Sequence, residues 1–384
     1  MDRIYLDNGA TSFPKAPGVG ESMANYINMV GSSINRGAYD SAYEAENIVF
    51  ETRELVADLF GDENPENVVF TKNITEAMNL ILKGLLENGD EVVVSSVEHN
   101  AVMRPLRRLE ADEDVKIKIC KCDNEGNLDL EYLEEIMSEN IKAVIMTHAS
   151  NVSGTILPLK EVGEICKKYG VYFIVDCAQT AGLLNIDRKE LNASAIAFTG
   201  HKSLLGPQGI GGCLLDKGFA EIVKPFIEGG TGSFSEEEIQ PSYMPDKFES
   251  GTPNIPGIYG LNVALKYINE RGIENMYEHE MKLMDVFLKE LIKINEIKVI
   301  GRSDLKNRMA VCSVDFFNQD NGEIAYLLSK EYGISTRCGL HCAPSAHKTL
   351  NTFPNGTVRF SIGHANTLEE IEKAIEAIKT LSSQ

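Results

Sequence analysis

From about residue 42 onward, apolar and polar positions alternate between helical and extended spacing. AYEAENIVFETRELVADLF repeats apolar side chains at helical intervals, and Gly61 after it supplies a C-terminal stop. NVVFT (67–71) reads as a short strand and 75–89 as a helix closing at Gly89. EVVVSS, VKIKIC, KAVIMT, VYFIVD and ASAIAFT then recur at nearly regular spacing, with helical stretches between them. Each is an almost unbroken apolar run, which suits a strand covered on both faces. The pattern predicts an α/β fold built on a mostly parallel sheet.

Residues 203–256 break this rhythm. GPQGIGG reads as a turn feeding a strand, and GGTGSFSEEEIQPSYMPDKFESGTPNIP is rich in Gly, Pro, Ser and charge. A stretch of that kind inside a compact chain is expected to be a functional or interface loop. Helices over 257–271 and 273–294 follow, then strands at 297–301 and 308–316. A helix at 321–332, a strand at 333–337, the strand TVRFSI and an amphipathic helix from Thr367 complete the chain. This is an α+β segment with its own small sheet, and the boundary is placed near 257 without a flexible linker.

Composition narrows the partners. The 384 residues are 43% hydrophobic, enough for a sizeable core, and 37 Lys and Arg stand against 57 Asp and Glu for a net charge of −20. No basic surplus exists to neutralise nucleic-acid phosphates or an anionic membrane, so neither is expected as a partner. No apolar run approaches the roughly 18 residues of a membrane helix, and MDRIYLDNGATS lacks the apolar stretch of a secretory signal. The eight cysteines, at 120, 122, 166, 177, 213, 312, 338 and 342, therefore read as cytoplasmic thiols, and no pair of CxxC units suggests zinc.

In open α/β sheets the ligand site lies at the carboxyl ends of the strands. Five polar clusters fall there: TKNITEA, VEHN, HASN, DCAQT and TGHKS. Lys202, between a buried strand and a Gly-rich turn, suits an amine nucleophile toward an aldehyde cofactor. Taken alone it reads more readily as a surface lysine at a strand end. Asp176 at the end of the neighbouring apolar strand changes that balance: a carboxylate there needs a cation, and a protonated pyridine nitrogen supplies one. Gln179 reaches the same ligand from the next helix. Thr75, at a helix start beside Glu76, suits a phosphate cradle or a plain N-cap. His99 suits ring stacking or a hydrogen-bonded loop.

The set YLDNGATS, NITEA, VEHN, HASNVSGT, VDCAQ, TGHK, ESGTPN and RCGLHCA resembles the cysteine desulfurases that use pyridoxal phosphate. These belong to the class V aminotransferase family of fold type I, and RCGLHCA is similar to the SufS-like group of desulfurases and selenocysteine lyases. The resemblance implies a large domain at 15–256 and a small domain of 1–14 with 257–384. It implies a homodimer with shared sites, L-cysteine or L-selenocysteine as substrate, and a sulfur-acceptor protein. Lys202 matches the cofactor-carrying lysine, Asp176 the pyridine partner, Gln179 the group near the phenolic oxygen, and His99 the stacking histidine. Thr75, Thr199 and His201 match phosphate ligands, with Thr252 reaching the phosphate of the partner subunit. Asn151 and Arg359 match the residues that receive the substrate, Arg359 gripping its carboxylate where a plain reading gives a surface ion pair. Cys342 matches the nucleophile that takes the sulfur as a persulfide, helped toward the thiolate by His341, the cofactor and Arg359.

The chain departs from the pattern at three places. Leu340-His341-Cys342 stands where relatives often carry HHC, and Asn73-Ile74 stands where a smaller pair is frequent. Cys338 occupies a position usually small; it is expected to pack rather than to receive sulfur. Pro344 and His347 follow Cys342 without an evident role. The alternatives left open are a selenocysteine lyase, another class V aminotransferase or lyase with Cys342 incidental, and a non-catalytic binding protein.

Overall fold

A computed structural model describes residues 3–34, 37–233 and 237–383. Residues 1–2 of the N-terminal strip and 234–236 of the long loop lie outside the described residues.

Seven strands form the central sheet. From edge to edge they run Val68–Thr71, Gly211–Leu215, Ala195–Thr199, Tyr172–Asp176, Ile141–Thr147, Glu91–Ser95 and Lys116–Cys120. Neighbours are parallel except around Gly211–Leu215, which lies antiparallel to both of its partners. Alternate residues of the central strands feed two separate cores. Val93, Val144 and Val175 pack with the helices of one face, whereas Val92, Val94, Ile145 and Ile174 pack with those of the other. Ala195–Thr199 is buried at every position, as its continuous apolar sequence requires.

A second, antiparallel sheet orders Arg337–Gly339, Thr357–Ser361, Val311–Phe316 and Ile297–Ile300. Its apolar face, together with Ile4 and Leu6 and residues from Met281 to Leu381, makes a third core. Ile4–Tyr5 joins this region by pairing in parallel with Ile334–Ser335.

Three expected boundaries shift for local reasons. The helix predicted over 75–89 is Ile74–Leu85, because Leu86 turns extended and Gly89 sits in the following turn. The strand predicted at 333–337 divides into Ile334–Ser335 and Arg337–Gly339, one pairing with the N-terminal strip and the other with Thr357–Ser361. The strand predicted from 308 begins at Val311, because the buried Arg308 donates to the carbonyls of Arg302 and Val311 instead. The helix Ile255–Arg271 buries Ile258, Leu261, Leu265 and Ile268 in the core of the central sheet rather than in the third core.

Candidate active site

Sheet register decides which polar clusters meet. Thr147 lies beside Asp176 and Asp176 beside Ala197. Thr199 pairs with Gly211, whose other partner is Thr71. The residues after Thr71, Thr147, Asp176 and Thr199 therefore emerge along one edge. A Cβ on Gly211 would stand 2.8 Å from the Phe198 carbonyl oxygen and 2.9 Å from Asn73 Cα, so only glycine lets the next helix start this close to the sheet.

That helix is capped by Asn73, whose side-chain oxygen accepts from Glu76 N at 3.0 Å. Thr75 is thus not the cap. It occupies the exposed first turn, and the N–H groups of Ile74 and Thr75 fall outside the helix's own ladder, facing outward with the positive end of the dipole. Thr199 Oγ1 and His201 Nδ1 are buried without a hydrogen-bond partner. Burial pushes the His201 imidazole down to about 4, with Lys202 and Lys15 reinforcing it. Two orphaned polar atoms near a helix start are what an anion would satisfy.

Lys202 follows on a turn closed by the Leu205 N–H to the Lys202 carbonyl at 2.8 Å. The turn is held from outside by the N-terminal strip: Ser12 N, Thr11 Oγ1 and Lys15 Nζ all donate to the His201 carbonyl. Desolvation lowers the Lys202 amine from 10.5 to about 8, while the carboxylate of Asp176 opposes the shift; the charges of Arg359, Arg337 and Cys342 also act on it. Asp176, 2% exposed, accepts from Ala178 N through one oxygen, and burial raises its pKa. The charge of Lys202 offsets part of that cost, and a protonated ring nitrogen beside the carboxylate would offset more. His99 caps the helix Asn100–Asp112, with Nδ1 accepting from Ala101 N at 3.0 Å. Burial drives it down to about 3, so it is neutral and carries its proton on Nε2. Gln179 donates to the Gly9 carbonyl at 3.1 Å, tying the N-terminal strip to the site.

The opposite wall comes from the small sheet. Arg359 is 1% exposed, which excludes the surface ion pair. Its guanidinium donates to Asp7 Oδ1 at 3.0 Å and to the Asn151 carbonyl at 3.1 Å, leaving Nε buried and unpartnered. The Asn151 amide in turn donates to the His341 carbonyl at 2.8 Å. One asparagine thus holds both the arginine and the turn that carries Cys342. His341 and Cys342 have φ of 48° and 58°, two consecutive non-glycine residues in the left-handed region. Such conformations cost about 1–3 kcal/mol each and persist only where the surroundings impose them. The Cys342 carbonyl accepts from Asn100 N at 2.8 Å, and Cys342 itself is exposed.

Two expectations about this turn are corrected. His341 does not supply positive charge to the thiol: burial, reinforced by Arg359, drives its imidazole down to about 2, and Nε2 meets Thr357 Oγ1 at 3.0 Å. The cation at the sulfur is Arg337, whose Nη2 lies 3.9 Å from Cys342 Sγ. Cys338 does not pack either; it is exposed, because Arg337–Gly339 is the edge strand of its sheet. Cys338 pairs with Val358 and Arg337 with Arg359, so the two side chains leave opposite faces and the Cys338 thiol points away from the arginine that reaches Cys342.

Thr252 is not among the residues that line the cavity beside Lys202. It lines a cavity of about 280 Å³ with Phe70, Lys72, Phe226 and Asn254, near the exposed start of Ile74–Leu85. Sequence reasoning passed over Arg337, Glu98, Lys15 and Asp7. A cation five residues before the exposed Cys342 was a usable signal for the first. Glu98 was another, as a charge at a buried strand end: one oxygen accepts from Ser95 Oγ and Thr147 N, the other is unpartnered, and burial raises it to about 8.

The profile of the family described as Aminotransferase class-V matches residues 4–374, and the chain belongs to that family. A protein of Pyrococcus abyssi described as a probable cysteine desulfurase is 35% identical, with 99% of this chain and 95% of that protein covered. The apo structure of a cysteine desulfurase from Thermococcus onnurineus superposes with a TM-score of 0.93 at 34% identity, covering 99% of this chain and 95% of that one. The cysteine desulfurase CsdA of Escherichia coli, solved in an S-sulfonic acid form, gives 0.89 at 26% identity, covering 98% and 94%. The fold is that of the fold type I enzymes, a family that depends in general on pyridoxal phosphate.

Proposed function

We propose that the protein is a cysteine desulfurase that converts L-cysteine to L-alanine and retains the sulfur as a persulfide on Cys342. The observation that carries this reading is geometric: Asn151, just past the end of a central strand, bonds both Arg359 and the His341 carbonyl, and Asn100 N beside His99 donates to the Cys342 carbonyl, which brings the thiol and its neighbour Arg337 to the strand ends that carry Asp176 and Lys202. Two walls of different origin, one with the lysine and acid, the other with an exposed thiol and two guanidinium groups, enclose one point.

Pyridoxal phosphate is the cofactor these residues fit. Lys202 would carry it, Asp176 would pair with its ring nitrogen, and Thr199, His201 and the helix start at Ile74 would take the phosphate. Bound there, it withdraws electrons from the substrate's α-carbon. The Arg359 edge that carries the free Nε would grip the substrate carboxylate, while Asp7 and Asn151 hold the two terminal nitrogens and fix the guanidinium plane. Lys202, with its amine lowered to about 8, suits proton exchange near neutral pH. Cys342 thiolate, beside Arg337, attacks the substrate sulfur: the S–S bond forms, the Cβ–S bond breaks, and the electron pair left on carbon is protonated to give alanine.

The wider reading is a homodimer in a reducing, cytoplasmic setting with a sulfur-acceptor protein. Exposed Ile27, Met29, Phe50, Phe226 and Ile239 support a second copy, as does the placement of Thr252 in another cavity than the one beside its own Lys202. All eight cysteines are free, which suits reduction. A division into 15–256 and 1–14 with 257–384 is supported by the third core joining Ile4 and Leu6 to Met281–Leu381; the packing of Ile255–Arg271 favours starting the small unit after that helix. Within the family, the SufS-like group is proposed on RCGLHCA.

Product analysis decides the activity. The wild-type protein and Cys342→Ala are each given L-cysteine and L-selenocysteine with a thiol, and alanine, sulfide and selenide are measured. Equal release of sulfide by both proteins overturns the proposal; selenide release alone transfers the activity to selenocysteine.

A further inference from the structure

The segment between Arg337–Gly339 and Thr357–Ser361 carries a second histidine, His347, on the short helix Pro344–Thr349. It is 0% exposed, yet nothing in the chemistry above uses it. Its ring lies 5.4 Å from that of His341, at 38° between planes. Each imidazole is anchored on one side only. His341 Nε2 meets Thr357 Oγ1 at 3.0 Å, and His347 Nδ1 meets Thr352 Oγ1 at 2.7 Å. The other two ring nitrogens, His341 Nδ1 and His347 Nε2, are buried without any partner. Two orphaned nitrogens on neighbouring rings satisfy each other when one donates and one accepts, directly or through a single water. A pair left unsatisfied would keep the full desolvation cost of both groups.

The position of the pair gives it a task. His341 precedes Cys342 in the left-handed turn, and its carbonyl is held by Asn151. Behind it, Ala343, Ala346 and Leu350 are buried in the core of the central sheet, and Thr349 Oγ1 donates to the Ser96 carbonyl. His347 therefore sits on the anchored part of the segment, and His341 on the strained part. We propose that His347 is a positioning residue for Cys342, acting through His341: a single water bridges the two unpartnered ring nitrogens, donating to one and accepting from the other, and so locks the turn and aims the thiol. The inference rests on Cys342 being the nucleophile.

Amide side chains separate the two ends of the His347 ring. Asparagine places a polar group where Nδ1 serves Thr352, and glutamine reaches the place of Nε2, which faces His341. Three variants, His347→Asn, His347→Gln and His347→Phe, are compared as holoenzymes with matched cofactor absorbance and thermal midpoint. Two readouts are taken: alkylation of Cys342 by iodoacetamide, followed by mass spectrometry, and kcat and KM for L-cysteine. In the Asn and Phe variants, alkylation rate and kcat are expected to change at least about tenfold with KM little altered, and the Gln variant is expected to stay near wild type. Rescue by Asn rather than Gln assigns the residue to Thr352 alone and overturns the proposal, as does wild-type behaviour of His347→Phe. Loss of the alkylation difference in Cys342→Ala confirms the thiol being read. Normal positioning effects without sulfide release would instead fault the assigned activity.

Discussion

Arg359 shows how much a site depends on a side chain that is fully enclosed and only partly paired. Its fork is spent on Asp7 and the Asn151 carbonyl, and the edge left over is the one offered to a carboxylate. Arg359→Lys keeps the charge but loses the planar fork. KM for L-cysteine is expected to rise about tenfold, while cofactor loading stays complete, as steady-state kinetics and absorbance would report. At Lys202 the depressed amine leads to a pH expectation. The neutral amine is the reactive form, and its fraction grows as pH rises through the pKa. Capture of pyridoxal phosphate by the apoprotein should accelerate up to about pH 8 and then level off. A rate still climbing toward pH 10, where an ordinary lysine titrates, would contradict the burial of this amine.

At the scale of elements, the close fit of the helix Ile74–Leu85 against Gly211 is a sharp test. A methyl at Gly211 meets the Phe198 carbonyl and Asn73 Cα, so Gly211→Ala should push the helix start outward. The expected outcome is weaker cofactor retention on ultrafiltration with a thermal midpoint changed far less than retention. The apolar runs made the central sheet legible, because strands buried on both faces leave no other reading. Lys202 and Asp176 were legible as polar residues at the ends of apolar strands, whereas Cys342 stood out only through the family resemblance. What stayed hidden was set by pairing across long sequence distances. Nothing local in the sequence says that 333–337 serves two sheets, or that an edge position exposes Cys338. Nor does any local pattern show that Asn151 bonds both Arg359 and the His341 carbonyl, since these contacts form only once the two sheets face each other.

The whole molecule keeps an unusual set of titratable groups away from water. Burial holds His148, His347 and His364 down to about 4 and His341 to about 2, while it raises Glu98 and Glu280 to about 8. The signs oppose. Below pH 6.5 the unfolded chain protonates histidines that the folded chain keeps neutral, so stability is lost as pH falls. Between about 4.5 and 8 the folded chain holds protons on the glutamates that the unfolded chain releases, so stability is lost as pH rises. With His99 and His201, held down to about 3 and about 4, six histidines outweigh two glutamates on the acid side, each group contributing up to about 1.4 kcal/mol per pH unit. Chemical denaturation across pH 5–8 should therefore give maximal stability near pH 7, falling more steeply toward acid; a maximum at pH 5 would exclude neutral buried histidines, and one at pH 8 would exclude protonated buried glutamates. The pairing of Ile4–Tyr5 with Ile334–Ser335 carries a last consequence, for synthesis rather than catalysis. Ile4 and Tyr5 leave the ribosome long before their partner, which is made more than three hundred residues later. Until then Ser12, Thr11 and Lys15 have no second sheet to steady them under the Lys202 turn, and the nascent chain has no working site however well its central sheet has formed.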